Sequence, residues 1–262
     1  MPSSALNVAR TGLEAQDQRM RVIANNLANV GTTAFKRDRA NFATLYYQDA
    51  RVAGQQSSSE TAYATGLNLG TGVGVQSTTR METQGELKTT GNSLDIAIEG
   101  DGFFQVQLPG GKLGYTRAGN FTRSAEGQLV TAQGYAVIPA ITVPEGVSAI
   151  AIAADGTVSA QISGQADAQN LGQITTASFA NAAGLKAIGD NFLVETGASG
   201  QAQIGNPGDA GRGNLRQGML ESSNVNVVEE LVDMIECQRA YEINSKMISA
   251  VDEMLKNANQ TL

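Results

Sequence analysis

Apolar residues recur at near-heptad spacing at both ends of the chain, and the roughly 190 residues between them read as glycine-punctuated β structure. The first stripe is Leu6, Ala9, Leu13, Gln16, Met20, Ile23, Leu27 and Val30. Its alternating steps of three and four predict a coiled-coil seam on a helix from about residue 4 to 30, roughly 40 Å long. Ser3 and Ser4 are candidate N-caps, and Gly31 is placed to take the left-handed position that ends a helix. The second stripe is Val228, Leu231, Ile235, Gln238, Tyr241, Ser245, Ile248, Val251 and Leu255, thickened by Met234, Met247 and Met254. Asn226 followed by Glu229 predicts a capping box at its start. Gln16 and Gln238 each set an amide in a mostly apolar seam, a device that costs stability and can fix register.

Between the stripes the period changes. Residues 31–45 read as a turn and a basic connector. Residues 46–80, rich in Ser, Thr, Gln and Gly, read as an extended or loop-like stretch that must lean on something else for order. Short β runs follow at 94–99, 103–108, 115–116, 121–123, 128–131 and 135–139. Gly-Asp-Gly, Pro-Gly-Gly, Ala-Glu-Gly and Ala-Gln-Gly separate them, each able to supply a positive φ. Further runs are predicted near 150–152, 158–162, 173–179 and 192–194. The expected class is α+β: terminal helices (1–35 with 222–262) forming a coiled-coil-like unit, an extended connector (36–93), and a many-stranded all-β domain (94–221).

Composition narrows the function. The 262 residues can bury a sizeable core, but with 5% aromatics, no Trp and 30 Gly the middle is built without many large anchors. Net charge is −7, distributed as +2 over residues 1–60, −4 over 61–220 and −5 over 221–262. A slightly basic first helix and an acidic last one can pair without repulsion. No basic cluster is interleaved with aromatics, so nucleic acid is not an expected partner. The first thirty residues lack the apolar core of a secretory signal, and no stretch reaches the roughly 18 apolar residues of a membrane span, so neither a cleaved leader nor membrane insertion is expected.

Chemistry-bearing residues are sparse. The single cysteine, Cys237, sits one step off the expected seam, and with no histidine in the chain to activate it an inert packed thiol is expected. Gly70-Thr71-Gly72-Val73-Gly74 lacks the preceding strand, following helix and glycine spacing of a phosphate loop. Gly100-Asp101-Gly102 is explained by a turn between strands. The carboxylates Asp95 with Glu99, and Glu229 and Glu230 with Asp233, read as solvated faces, since no aromatic cleft accompanies them. No catalytic residue, cofactor or metal is expected. A β-rich carbohydrate-binding or carbohydrate-active protein with helical ends is the alternative from another class.

Two segments carry a family resemblance. Residues 25–37, Asn-Asn-Leu-Ala-Asn-Val-Gly-Thr-Thr-Ala-Phe-Lys-Arg, closely resemble the N-terminal signature of bacterial flagellar rod and hook proteins. Residues 218–232 and 238–246 resemble the matching C-terminal signature, and the block from Asp95 to Phe104 fits the same family. The residues carrying the likeness are Asn25, Asn26, Asn29, Thr32, Phe35, Lys36, Asn224, Asn226, Gln238, Arg239, Tyr241 and Asn244. Length, the polar segment at 46–65 and Leu69-Gly70-Thr71-Gly72-Val73 are most like the family's distal-rod branch, with hook and proximal-rod members as alternatives. The resemblance implies a structural axial subunit, exported by the flagellar type III apparatus, that polymerises with itself into a rod crossing the periplasm. It also implies contacts with proximal rod and hook proteins and with the surrounding basal-body rings. Leu6, Leu13, Met20, Ile23, Leu27, Val30, Val228, Leu231, Ile235, Tyr241, Ile248, Val251 and Leu255 are the expected subunit-interface residues.

Overall fold

A computed structural model describes residues 2–56, 63–163 and 167–260. The chain forms two compact units: one of residues 1–28, 38–80 and 226–262, the other of residues 29–37 and 81–225. The stretch expected as one connector is therefore shared between them.

The first unit holds α1 (Pro2–Ala28), α2 (Val227–Gln260) and four strands, β1 (Asp38–Thr44), β2 (Tyr47–Arg51), β3 (Leu67–Gly70) and β4 (Val73–Arg80). α1 starts at Pro2, so Ser3 and Ser4 lie inside it rather than capping it. It stops at Ala28, and the left-handed residue beyond it is Ala34 (φ 55°), not Gly31. The turn is closed instead by Asn29, whose carbonyl accepts from the Thr32 N–H (3.1 Å) and whose side-chain oxygen accepts from the Thr32 hydroxyl (3.1 Å). At the start of α2 the Asn226 half of the expected capping box is in place: its side chain accepts from the Val228 N–H at 3.1 Å.

The loop-like stretch expected at 46–80 is largely β. β1 pairs antiparallel with β4, and β2 with β3, making two ribbons. Their residues carry few large aliphatics, so periodicity gave no strand signal; the order comes from backbone pairing and from α1. The Thr11 hydroxyl lies against Gly72 and accepts a 3.4 Å hydrogen bond from the Val73 N–H. Gly72 has φ 120° and a Cβ there would collide with Thr11, so glycine is required by both conformation and space. The polar segment at 46–65 includes residues 57–62, which lie outside the described residues.

Among the described residues the second unit is all β apart from two single-turn 3-10 helices. Its strands are β5 (Leu87–Thr89), β6 (Ile96–Glu99), β7 (Phe103–Gln107), β8 (Leu113–Thr116), β9 (Phe121–Arg123), β10 (Leu129–Thr131), β11 (Val137–Ile138), β12 (Val147–Ile152), β13 (Thr157–Ile162), β14 (Gln169–Gln173), β15 (Thr176–Ser178), β16 (Lys186–Gly189), β17 (Phe192–Val194), β18 (Gln203–Gly205), β19 (Asn214–Gln217) and β20 (Met219–Glu221). The largest sheet runs β16-β17-β8-β7-β15-β18, with β11 also on β7; β12-β13-β14 form a second. The four turn tripeptides work as expected, with positive φ at Gly100, Gly102, Gly110, Gly111, Gly127 and Gly134. The run expected at 173–179 splits into β14 and β15. The core packs Ile96, Ile98, Phe104, Phe121, Leu129, Val137, Ile141, Val158, Ile174 and Leu215, with Phe104 and Phe121 edge to face at 5.1 Å.

Candidate assembly surface

The two helices of the first unit pack antiparallel, and much of their contact is built from small and polar side chains. From one end to the other, the Asn26 amide donates to the Glu230 carboxylate (3.2 Å), and the Arg19 guanidinium bonds Asp233 (2.9 Å) and approaches Glu236 (3.7 Å). Next, the Cys237 thiol donates to the Gln16 carbonyl (3.1 Å), and Asn244 fills the space where a Cβ on Gly12 would stand. On α2 the contacting positions 230, 237, 244 and 251 are seven apart. Cys237 is therefore on the contact line rather than beside it, wholly buried, and burial pushes its thiol pKa up, which suits a packing role.

The apolar stripe read from the sequence of α2 does not coincide with this contact. From Val228 to Leu255 is 27 residues, seven and a half turns at 3.6 residues per turn, so the two ends of the stripe lie on opposite sides of the helix. The shift comes from consecutive steps of three at 235–238–241 and 245–248–251. The distal members follow α1: Val251 is buried, and Ile248 and Leu255 are half-buried. The proximal members face outward: Val228 is 69% exposed, Leu231 44% and Ile235 50%. Val232, Tyr241, Ile243, Met247 and Met254 are exposed as well. On α1, Ile23 is buried, Leu6, Leu13, Met20 and Leu27 are half-buried, and Val30 lies beyond the helix and exposed. The β2–β3 ribbon adds exposed Tyr46, Tyr47, Val52, Tyr63, Leu67 and Leu69.

The signature residues separate into two groups. In the first unit Asn26 is buried and bridges both main-chain groups of Asp38, donating to its carbonyl and accepting from its N–H (both 2.9 Å), which ties α1 to the start of β1. Asn226 caps α2 and Asn244 meets Gly12, while Asn25, Gln238, Arg239 and Tyr241 are on the surface.

In the second unit, Asn224 accepts from the Arg37 N–H (2.7 Å) and donates to the Met81 and Thr83 carbonyls (2.8 and 3.0 Å). The Phe35 carbonyl accepts from the Asn224 N–H at 3.3 Å. Beside them Lys36 is buried, donating to the Thr83 carbonyl (2.7 Å) and to Glu221 (2.6 Å). Burial and the neighbouring Arg117 charge pull the Lys36 pKa down against the attraction of Glu221. Burial would raise the Glu221 carboxyl, but Arg117 and Lys36, with the Gly85 N–H, outweigh it and hold it below the usual range. Sequence reasoning singled out Lys36 but neither Glu221 nor Arg117, because the partners are 185 and 104 residues from Glu221 in the chain.

Among the described residues no group of three His, Cys, Asp or Glu could hold a metal ion, and no helix is long and apolar enough to cross a membrane. Gly70 ends β3 and Gly72 turns the chain into β4, so the glycine-rich stretch links the β2–β3 ribbon to the β1–β4 ribbon. Gly100-Asp101-Gly102 likewise joins β6 to β7.

Three family models match the chain: the flagella basal body rod protein family over residues 6–36, the flagellar hook protein FlgE/F/G D1 domain over 97–160, and the flagellar basal body rod FlgEFG protein C-terminal family over 216–261. The flagellar basal-body rod protein FlgG of Buchnera aphidicola subsp. Acyrthosiphon pisum (strain APS) is 51% identical over 256 residues, covering 98% of each chain. From Caulobacter vibrioides (strain ATCC 19089 / CIP 103742 / CB 15), FlgG is 46% identical with 98% of each chain covered, and FlgF is 33% identical with 92% of this chain and 90% of the relative covered. With similarity of this level running from end to end, the chain belongs to the flagellar basal-body rod protein family.

Proposed function

We propose that this chain is the distal-rod subunit of the flagellar basal body, a structural protein that polymerises with itself through the outward face of α2 and the exposed β2–β3 ribbon. The observation that carries the reading is the exposure of Val228, Leu231, Val232, Ile235 and Ile243 on a helix whose contact with α1 is already made by other residues. An apolar stripe at helical spacing left open in the single chain suits burial against further copies. Contacts between unlike surfaces of identical subunits propagate as an open helix, the form a shaft requires, when the rotation between neighbours does not close into a ring. The antiparallel helix pair would serve as a coiled-coil-like element of that shaft, in a rod spanning the periplasm and joined to proximal rod, hook and ring proteins, after export by the flagellar type III apparatus. Transmitting torque asks no reaction of any residue. The higher identity to FlgG than to FlgF from one organism favours the distal over a proximal position.

The test is assembly of Leu231→Asp. A carboxylate on the docking face must be desolvated at a cost of several kcal/mol or prevent docking, so sedimentable polymer should be lost while the β unit stays folded by circular dichroism. Polymer of normal yield would overturn the proposed surface. Electron micrographs of wild-type polymer separate the branches of the family: straight filaments support a rod subunit, curved supercoiled ones a hook subunit.

A further inference from the structure

The second unit encloses a charge arrangement that the assembly surface does not use. Lys36, Arg117 and Glu221 are all buried. One oxygen of Glu221 accepts from Lys36 (2.6 Å) and from the Gly85 N–H (2.9 Å), and the other accepts from Arg117 Nε (2.9 Å). Arg117 gives three further hydrogen bonds, to the carbonyls of Ile98, Gly100 and Gly102. The Ala34 N–H donates to the Glu221 carbonyl at 2.8 Å, so the same residue also holds the leading segment 29–37 by its main chain. The Glu82 charge also acts favourably on Lys36.

Two cations thus converge on one carboxylate, out of water. Without Glu221 they would repel each other in a medium that screens poorly. Glu221 is the last residue of β20, the final strand of the unit, and follows Lys36 by 185 residues, Gly85 by 136 and Arg117 by 104. We infer that Glu221 is a completion latch: segment 29–37 and the turn after β8 close around their buried cations only when the last strand delivers its carboxylate. A chain emerging N-terminus first keeps this part of the unit open until residue 221 arrives. The first and last segments of the unit then lock in one step. The latch uses charge rather than a hydrophobic signal, and Arg117 ties it to the core strand β6 through the Ile98 carbonyl.

The experiment uses the full-length chain with Glu221→Gln, Lys36→Met and the double variant, read by thermal melting and by hydrogen exchange resolved to peptides. Glu221→Gln should lower the melting midpoint of the second unit by roughly 10 °C and speed exchange in 29–37 at least about tenfold. Adding Lys36→Met removes one of the two cations left without the carboxylate, and with it their mutual repulsion, and should recover more than half of both losses. Where Glu221→Gln does not fold, the double variant must. In pulse-labelled refolding of the wild type, 29–37 should gain protection together with 219–221. The latch is overturned by a Glu221→Gln protein that melts and exchanges like wild type, by a double variant worse than the single one, or by protection of 29–37 before 219–221.

Discussion

The two units use their apolar residues in opposite ways. In the β unit most large side chains point inward: Ile96, Ile98, Phe104, Phe121 and Ile174 are fully enclosed, with Leu113, Ile188 and Ile204 the exposed exceptions. In the helical unit the intrachain contact is carried by Gly12, Asn26, Cys237 and Asn244, while Val228, Leu231, Ile235 and Ile243 face water. An alternating or periodic apolar pattern therefore reports a fold in one unit and an unfilled partnership in the other. The distinction can be broken by substitutions that ought to act on stability in one unit and on assembly in the other.

The largest effect on stability is expected from Phe104→Ala. It empties the middle of the β core beside Phe121, and large-to-small changes at such sites cost about 3–5 kcal/mol. Denaturant unfolding followed by hydrogen exchange should show the loss in the β unit and leave α1 and α2 protected. Equal loss of protection in the helices would mean that the two units do not fold independently.

Asn26→Ala comes next. The amide satisfies both main-chain groups of Asp38 and bonds the buried Glu230, so its removal takes one donor from a buried carboxylate and the side-chain partner from two main-chain groups. A loss of about 2 kcal/mol is expected in the helical unit, seen as faster exchange in α1 and β1. Asn26→Leu, similar in volume but without hydrogen bonds, should do no better. A fully stable leucine variant would show that packing, not the polar bridge, holds this end of the helix pair.

These contrasts explain what could be read from the chain alone. The α1 stripe keeps strict three-four alternation, and the structure gives a helix there with Ile23 buried and its neighbours half-buried. The β runs around 96–131 were legible because glycine turns bracket alternating large residues. β1 to β4 were not, since Ser, Thr, Gln and Gly carry no period and the ordering comes from strand pairing and from Thr11 at Gly72. The true contact line of α2 was hidden for the opposite reason: Glu230, Cys237 and Asn244 are not apolar, whereas the outward residues are. Lys36 stood out only through resemblance, and its buried partners are joined by the fold rather than by spacing.

A smaller effect is expected from Asn226→Ala, which removes the side-chain acceptor of the Val228 N–H at the start of α2. Losing such a cap costs about 1 kcal/mol, while Asn226→Asp keeps an acceptor and adds a charge favourable at a helix N-terminus. Exchange in the first turn of α2 should rise for alanine and not for aspartate. The cap sits beside Val228 and Leu231, so fraying should also raise the protein concentration needed for polymer. A higher concentration for both variants would assign the effect to lost side-chain contacts rather than to the cap.

The smallest change in single-chain stability, and the sharpest test of the contrast, is Ile235→Ser. Ile235 is half exposed on α2 and lies away from the Glu230–Cys237–Asn244 line, so the folded chain gives up little by losing it: within about 0.5 kcal/mol. The same side chain inside a core would be worth several times that. If its burial awaits another copy, the deficit must appear only on assembly, as a higher critical concentration or faster depolymerisation on dilution, with unchanged melting of the dilute chain. A destabilised monomer would place Ile235 in the fold after all, and unchanged assembly with unchanged melting would remove it from the docking face, leaving the ribbon and the N-terminal turn of α2 to carry the contact.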